Sequence, residues 1–257
     1  MFPENLSERE KHIEAQVIAG NFSAKWTELV IAVNGVEVKL NVMDDALKID
    51  GIRVNASATL CQRLADMFDA SLPTAMVADM MFVKSSRRAT PCPMPISTSV
   101  SSMVTHSQNV DRQIRPGDGI ASTVGKHWIL DKQLESAKDK ACNYGWHFMG
   151  PNPTFQGVKG YTPGSVMICG PNVKVIQPNA TAHDRHHSDY SQICQLVSQQ
   201  CWVDGVEMRF SDLVKDSRLA HVVSHQGPLQ IDRQPGVDPV VGQVVLFPVQ
   251  ITADNIT

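Results

Sequence analysis

The chain has 257 residues, 42% of them hydrophobic and 19% charged, with a formal net charge of −3. That length fits one large domain or two small ones, and the apolar content is enough for a sizeable core, which excludes a disordered chain. No basic stripe dominates, so no nucleic-acid partner is expected.

The first 21 residues, MFPENLSEREKHIEAQVIAGN, hold no apolar stretch of signal-peptide type. Their pattern predicts a helix over 7–19, capped by Ser7 with Glu10 as its capping-box partner and ended by Gly20-Asn21. ELVIAVNGVEVKLNVM alternates around Asn34-Gly35 and predicts a β-hairpin, and DALKIDGIRVNA predicts a second strand pair turning at Asp50-Gly51. Leu60, Leu64 and Phe68 recur at helical spacing, and Pro73 marks the start of a further helix.

Three prolines within five residues make RRATPCPMPIST a loop or linker. It divides the chain into an N-terminal α/β part (1–86), a proline-rich connection (87–98) and a C-terminal α+β part (99–257) that carries the site, unless all three form one domain. Beyond it SSMVTHSQNVDRQI reads as helix, KHWIL, SVMICG and VKVIQP as strands, and DKQLESAKDKACNYG as a polar helix. Tyr190, Ile193, Cys194, Val197 and Cys201 fall on one face of a predicted helix, and Leu213, Leu219, Val222 and Val223 on one face of another. Mixed hairpins and helices predict an α+β fold with a mixed or largely antiparallel sheet and packed helices.

The densest chemistry lies in TAHDRHHSDYSQ, residues 181–192. His183 and His187 are four apart, as are His221 and His225, so either pair would share a helix face and could hold a zinc ion. Asp184 stands where a zinc protease has glutamate, one methylene short. Either Thr181 and Asp184 form a capping box, which puts both histidines inside a helix, or Ser188 is the cap and leaves them in a loop before it. Without a metal the same atoms suit acid–base work, with His183 or His187 carrying the proton and Asp189 orienting it. A helix start there would also favour an anion.

NYGWHF adds Asn143, Tyr144, Trp146 and His147, a polar and aromatic set suited to stacking on a sugar or flat ligand. GKHWIL adds Lys126, which could hold a carboxylate or phosphate, with His127 and Trp128. Cys142 precedes these histidines in the order of several cysteine hydrolases, but papain-like signatures are missing. Ser191 and Ser224 lack a G-x-S-x-G turn, and no P-loop or G-x-G-x-x-G occurs. The six cysteines show no paired spacing and are expected to be reduced.

AGNFS, LPTAMV, GKHWIL, NYGWH, HDRHHSDYSQ and SHQGPL together resemble a family of bacterial and phage proteins with NYGWH and HDxxHxDYSQ-type motifs, over roughly residues 9–230. The resemblance is most specific at His183, His187, Asp189, Tyr190, Ser191 and Gln192. It carries polar residues at the positions of His221 and His225 and no cysteine matching Cys142. It implies a shared polar site.

The expected function is a hydrolase with His147, His183, His187 and Asp189 as catalytic residues. Lys126, Trp128, Asn143, Tyr144, Trp146 and Gln192 would bind substrate. The favoured substrate is a peptide or cell-wall polymer, with zinc as the candidate cofactor if His183 and His187 bind metal. The alternatives are a zinc metallohydrolase on those two histidines, and a non-catalytic binding or virion-associated structural protein. No apolar run reaches the length of a membrane span. The expected location is the cytoplasm at synthesis, with any release by lysis or a signal-free route.

Overall fold

A computed structural model describes residues 1–151, 167–170, 172–242 and 245. The fold is α+β with mostly antiparallel sheets. Helix α1 (Leu6–Ile18) is capped by Asn5, whose side chain accepts from the Glu8 amide at 3.1 Å, two residues before the expected cap. Glu10 accepts instead from the Ser57 amide at 2.8 Å, which ties α1 to the second helix.

Strands β1 (Trp26–Val33) and β2 (Val36–Met43) form the expected hairpin. Asn34 and Gly35 turn with φ of 53° and 84°, the paired positive values that a two-residue hairpin turn requires. β3 (Lys48–Ile49) and β4 (Ile52–Arg53) pair around Asp50-Gly51. Helix α2 (Ala58–Met67) buries Leu60 and Leu64 and is capped by Ser57. After β5 (Ala70–Ser71), helix α3 (Ala75–Lys84) starts at the cap Thr74, so Pro73 lies one residue before the cap.

The proline-rich stretch is less irregular than its composition suggests. Arg87–Arg88 form β6, which pairs in parallel with β7 (Ala121–Ser122). The Arg87 guanidinium donates to the Gly119 carbonyl at 2.7 Å and that of Arg88 to the Val83 carbonyl at 2.6 Å. Helix α4 (Val100–Asp111) follows, as expected.

β8 (Lys126–Ile129) leads through a 3-10 turn (Lys132–Glu135) into β9 (Lys140–Met149), so the expected polar helix over 131–145 does not form. β10 (Met167–Gly170) and the long β11 (Val173–Asp184) complete the expected strands. The expected helix around Tyr190–Cys201 is instead β12 (Gln192–Ile193) and β13 (Val197–Val203). Burial alternates along β13, with Val197, Gln199, Cys201 and Val203 inward. β14 (Val206–Arg209) precedes a single-turn helix, α5 (Phe210–Leu213). The remainder of the expected second helix is a 3-10 turn at Ala220–Val222.

One sheet runs β1-β2-β13-β14, with β5 also on β13; the other runs β10-β11-β9-β8-β12. β13 pairs with β2 (Cys201 opposite Leu40) and β5 (Val197 opposite Ser71), so segments from both sides of residues 87–98 share one sheet. The main core joins Leu29, Ile31, Val38 and Leu40 of that sheet to Ile13 and Val17 of α1 and Leu64 of α2. Among the described residues no helix is long and apolar enough to cross a membrane.

Candidate functional site

The second sheet carries the chemistry, on both faces. All four residues of β8 and eight consecutive residues of β9, Ala141–Phe148, are buried. Register sets the faces. His127 opposite Tyr144 and Ile129 opposite Cys142 look one way; Lys126 opposite Gly145 and Trp128 opposite Asn143 look the other.

In a regular strand Tyr144 and His147, three apart, would face opposite sides. Gly145 (φ 135°) and Trp146 (φ 56°) break the alternation. A positive φ is uncommon for a residue as bulky as tryptophan. The break brings Tyr144 and His147 to the same carboxylate, that of Asp79 on α3.

Asp79 is the centre of the first face. Its Oδ1 accepts from the Tyr144 hydroxyl and from His147 Nε2, and its Oδ2 accepts from His225 Nε2, each at 2.7 Å. A carboxylate only accepts, so both imidazoles carry their proton on Nε2. Burial pushes the Asp79 carboxyl up, and the donors His147 and His225 outweigh it, holding it below its ordinary value. His147 is buried and stacks on Phe82 with ring centroids 5.3 Å apart. His225 is about half exposed. His225 lies at a cavity of about 270 Å³ lined by Thr74, Asp79, Asp131, Tyr144 and Ser224, among others. On its wall Asp131 Oδ2 accepts from Asn179 at 2.9 Å and Gln226 at 3.0 Å.

The second face holds most of the remaining expected residues. His183 is the last residue but one of β11, and His187 follows a turn in which Asp184 accepts from the His186 amide at 2.8 Å. Neither histidine is on a helix, and no helix starts at Ser188, so both predicted caps and the anion site at a helix N-terminus are absent. The two rings nevertheless stack, with centroids 3.9 Å apart and planes at 4°. Asp189 Oδ1 accepts from the Ser191 amide at 2.8 Å and hydroxyl at 2.5 Å. Burial raises the Asp189 carboxyl, but His187, the Lys126 ammonium and Ser191 bring it well below the carboxylate range. Gln192 accepts from the Asp189 amide at 2.6 Å. Trp146 lies under the Lys126 ammonium, 5.1 Å from the ring centroid. Trp128 is a core residue whose indole N–H donates to the Ala56 carbonyl at 2.8 Å.

The ten expected site residues are therefore split between two faces. Tyr144 and His147 gather around Asp79, while Lys126, Trp128, Asn143, Trp146, His183, His187, Asp189 and Gln192 belong to the other face. No hydrogen bond or ring contact links His147 to His183, His187 or Asp189 among the described residues. Sequence reasoning missed Asp79, whose signal was a lone carboxylate inside the apolar run MVADMMF. A charge buried there demands partners.

The stacked pair does not fit one zinc ion. Zinc lies in the plane of each imidazole that binds it, about 2.1 Å from the nitrogen. Two planes at 4° with centroids 3.9 Å apart share no such point. His221 Nδ1 donates to the Arg218 carbonyl at 2.7 Å, whereas His225 bonds Asp79, so that pair does not converge either. Among the described residues no group of three or more His, Cys, Asp and Glu side chains is placed to hold a metal ion.

Cys142 faces the first cluster but is buried, and burial pushes its thiol far above the ordinary value. A thiolate is the nucleophile, and burial disfavours that form here. The described cysteines 61, 92, 142, 194 and 201 are all free. Cys142→Ala is expected to leave any hydrolytic activity unchanged. Loss of activity in a folded Cys142→Ala protein would restore the thiol mechanism.

No family model, curated protein or solved structure matches the chain.

Proposed function

We propose that the protein is a hydrolase whose proton carrier is His225, oriented by Asp79. The observation that carries this reading is the buried Asp79 carboxylate with three donors at 2.7 Å, one of them a half-exposed imidazole at the mouth of a cavity. With Nε2–H committed to Asp79, the His225 Nδ1 lone pair is left to accept a proton. Asp79 fixes the tautomer and stabilises the imidazolium as it forms. Tyr144 and His147 hold the carboxylate in place.

The nucleophile in this scheme is water. Thr74 is occupied, its hydroxyl donating to the Val223 carbonyl and accepting from the Val77 amide. Water attacks the carbonyl carbon while His225 Nδ1 takes its proton, and the same proton then passes to the leaving group. The favoured substrate remains a peptide or cell-wall polymer, on the strength of the resemblance to bacterial and phage proteins. The amide and carboxylate wall of Asn179, Gln226 and Asp131 offers donors and acceptors to a peptide group.

The test is hydrolysis of a panel of aryl esters, peptide anilides and dye-labelled cell wall, comparing the wild type with His225→Gln. Activity on one class that His225→Gln abolishes, with the fold intact, supports the reading. Activity that survives the change, or none across the panel, sinks it and favours a binding or structural protein.

A further inference from the structure

We propose that the cluster around Lys126 on the opposite face of the sheet is a second ligand site, which takes a hydroxyl group of a neutral saccharide. Lys126 is buried, its side chain 4% exposed, yet its ammonium donates no hydrogen bond among the described residues. Its nearest carboxylate oxygen, Asp189 Oδ2, is 3.9 Å away. His187 Nε2 is also 3.9 Å from that oxygen and has no hydrogen-bond partner among the described residues. Both gaps are too long for a direct hydrogen bond and invite an intervening group.

The gap has the dimensions of one oxygen atom. An oxygen about 2.8 Å from each of two atoms 3.9 Å apart subtends roughly 90°, within the range of a hydroxyl. Such a hydroxyl accepts from Lys126 or His187 and donates to Asp189 Oδ2, since Asp189 Oδ1 is filled by Ser191. Lys126 and Asp189 cancel in charge, so an anion drawn by the one is repelled by the other, and a neutral ligand is favoured.

A second observation points the same way. Asn143 is 1% exposed and neither its Nδ2 nor its Oδ1 has a partner among the described residues, and Gln192, fully buried, leaves Nε2 without one. Buried polar atoms are normally paired, so unfilled carboxamides next to a buried charge pair indicate a polar ligand. Asn143 sits diagonally across from Lys126 on the same face. His187, a quarter exposed, forms the rim with His183 stacked on it.

Proton NMR of the histidine rings, in the full chain titrated with D-glucose, N-acetyl-D-glucosamine and chitotriose, tests the proposal. Acetate and inorganic phosphate serve as controls. A saturable shift of the His183 and His187 resonances with a saccharide is expected, and it should be lost in the Lys126→Met/Asp189→Asn double variant. The double change removes both charges together, so neither is left buried alone. His187→Phe, at the rim, is a second variant, expected to weaken binding at least tenfold. No saccharide shift, a shift produced by the anions instead, or equal binding in the double variant overturns the proposal. None of these readouts depends on the Asp79 centre, so the outcome is independent of the hydrolase reading.

Discussion

Replacing Asp79 by asparagine is expected to lower turnover by about 10³–10⁴-fold while the chain still folds. Asparagine keeps the shape and one acceptor oxygen, but its amide nitrogen is a donor. Three donors now point at the carboxylate: Tyr144 and His147 at Oδ1, His225 at Oδ2. Whichever way the amide turns, at least one meets another donor. If Tyr144 and His147 keep the oxygen, His225 loses its acceptor, its fixed tautomer and the negative charge that stabilises its imidazolium. The mismatch should cost about 1–3 kcal/mol of stability, the usual penalty for an unsatisfied buried group. Asp79→Ala leaves all three donors without an acceptor and should be the less stable of the two. Turnover on the substrate class found with the wild type, together with urea unfolding of both variants, makes the comparison. An Asp79→Asn enzyme within tenfold of the wild type would make the carboxylate a structural anchor.

How far this centre could be read from the sequence depended on range. The hairpin at Asn34-Gly35 and the turn at Asp50-Gly51 were legible because two adjacent residues determine them, and both show paired positive φ. The α+β class was legible for the same reason, from local pattern. The stretch around Tyr190–Cys201 misled because its inward face on β13 includes a polar residue. Gln199 is buried, donating to the Ala70 carbonyl at 3.2 Å and accepting from the Ser211 amide at 3.0 Å. That glutamine hides the two-residue period and leaves Ile193, Cys194, Val197 and Cys201 looking helical. Lys132–Glu135 misled through good helix formers that occupy only a 3-10 turn.

The site was legible as residue types and illegible as geometry. Tyr144, His147, His183, His187 and Asp189 were all singled out. Their division between two faces follows from β8–β9 register and from positive φ at Gly145 and Trp146. Register between strands is a long-range choice that no short motif encodes. Asp79 and His225 meet across 146 positions of sequence, one from a helix and one from a loop.

A steep loss of stability is expected as the pH falls below about 6.5, before ordinary acid denaturation begins. Two buried histidines drive it. Burial, reinforced by the charge of His147 and opposed by Asp79, pushes His127 down to about 3. Burial, together with Arg53 and Lys126 and against Asp189, pushes His106 down to about 4. Unfolded, each titrates near 6.5. Above that pH both are neutral in either state and their contribution is fully present. Between roughly pH 6 and pH 4.5 these two imidazoles bind about two more protons in the unfolded chain than in the folded one, so their contribution falls by about 2.7 kcal/mol per pH unit, with His183 adding to the loss and Glu10 and Asp44, both held up by burial, opposing it. Over two units that approaches about 5 kcal/mol, comparable to the whole stability of many domains. The carboxylates of Asp45, Asp79 and Asp189, all held below their ordinary values, add their own loss only at lower pH, as they protonate. Urea midpoints at pH 7, 6 and 5 measure the slope, and His127→Gln should halve it by removing one of the two protons. A wild-type stability that stays flat from pH 6.5 to pH 5 would mean that these imidazoles reach water in the folded protein, which their burial on β8 and α4 does not allow.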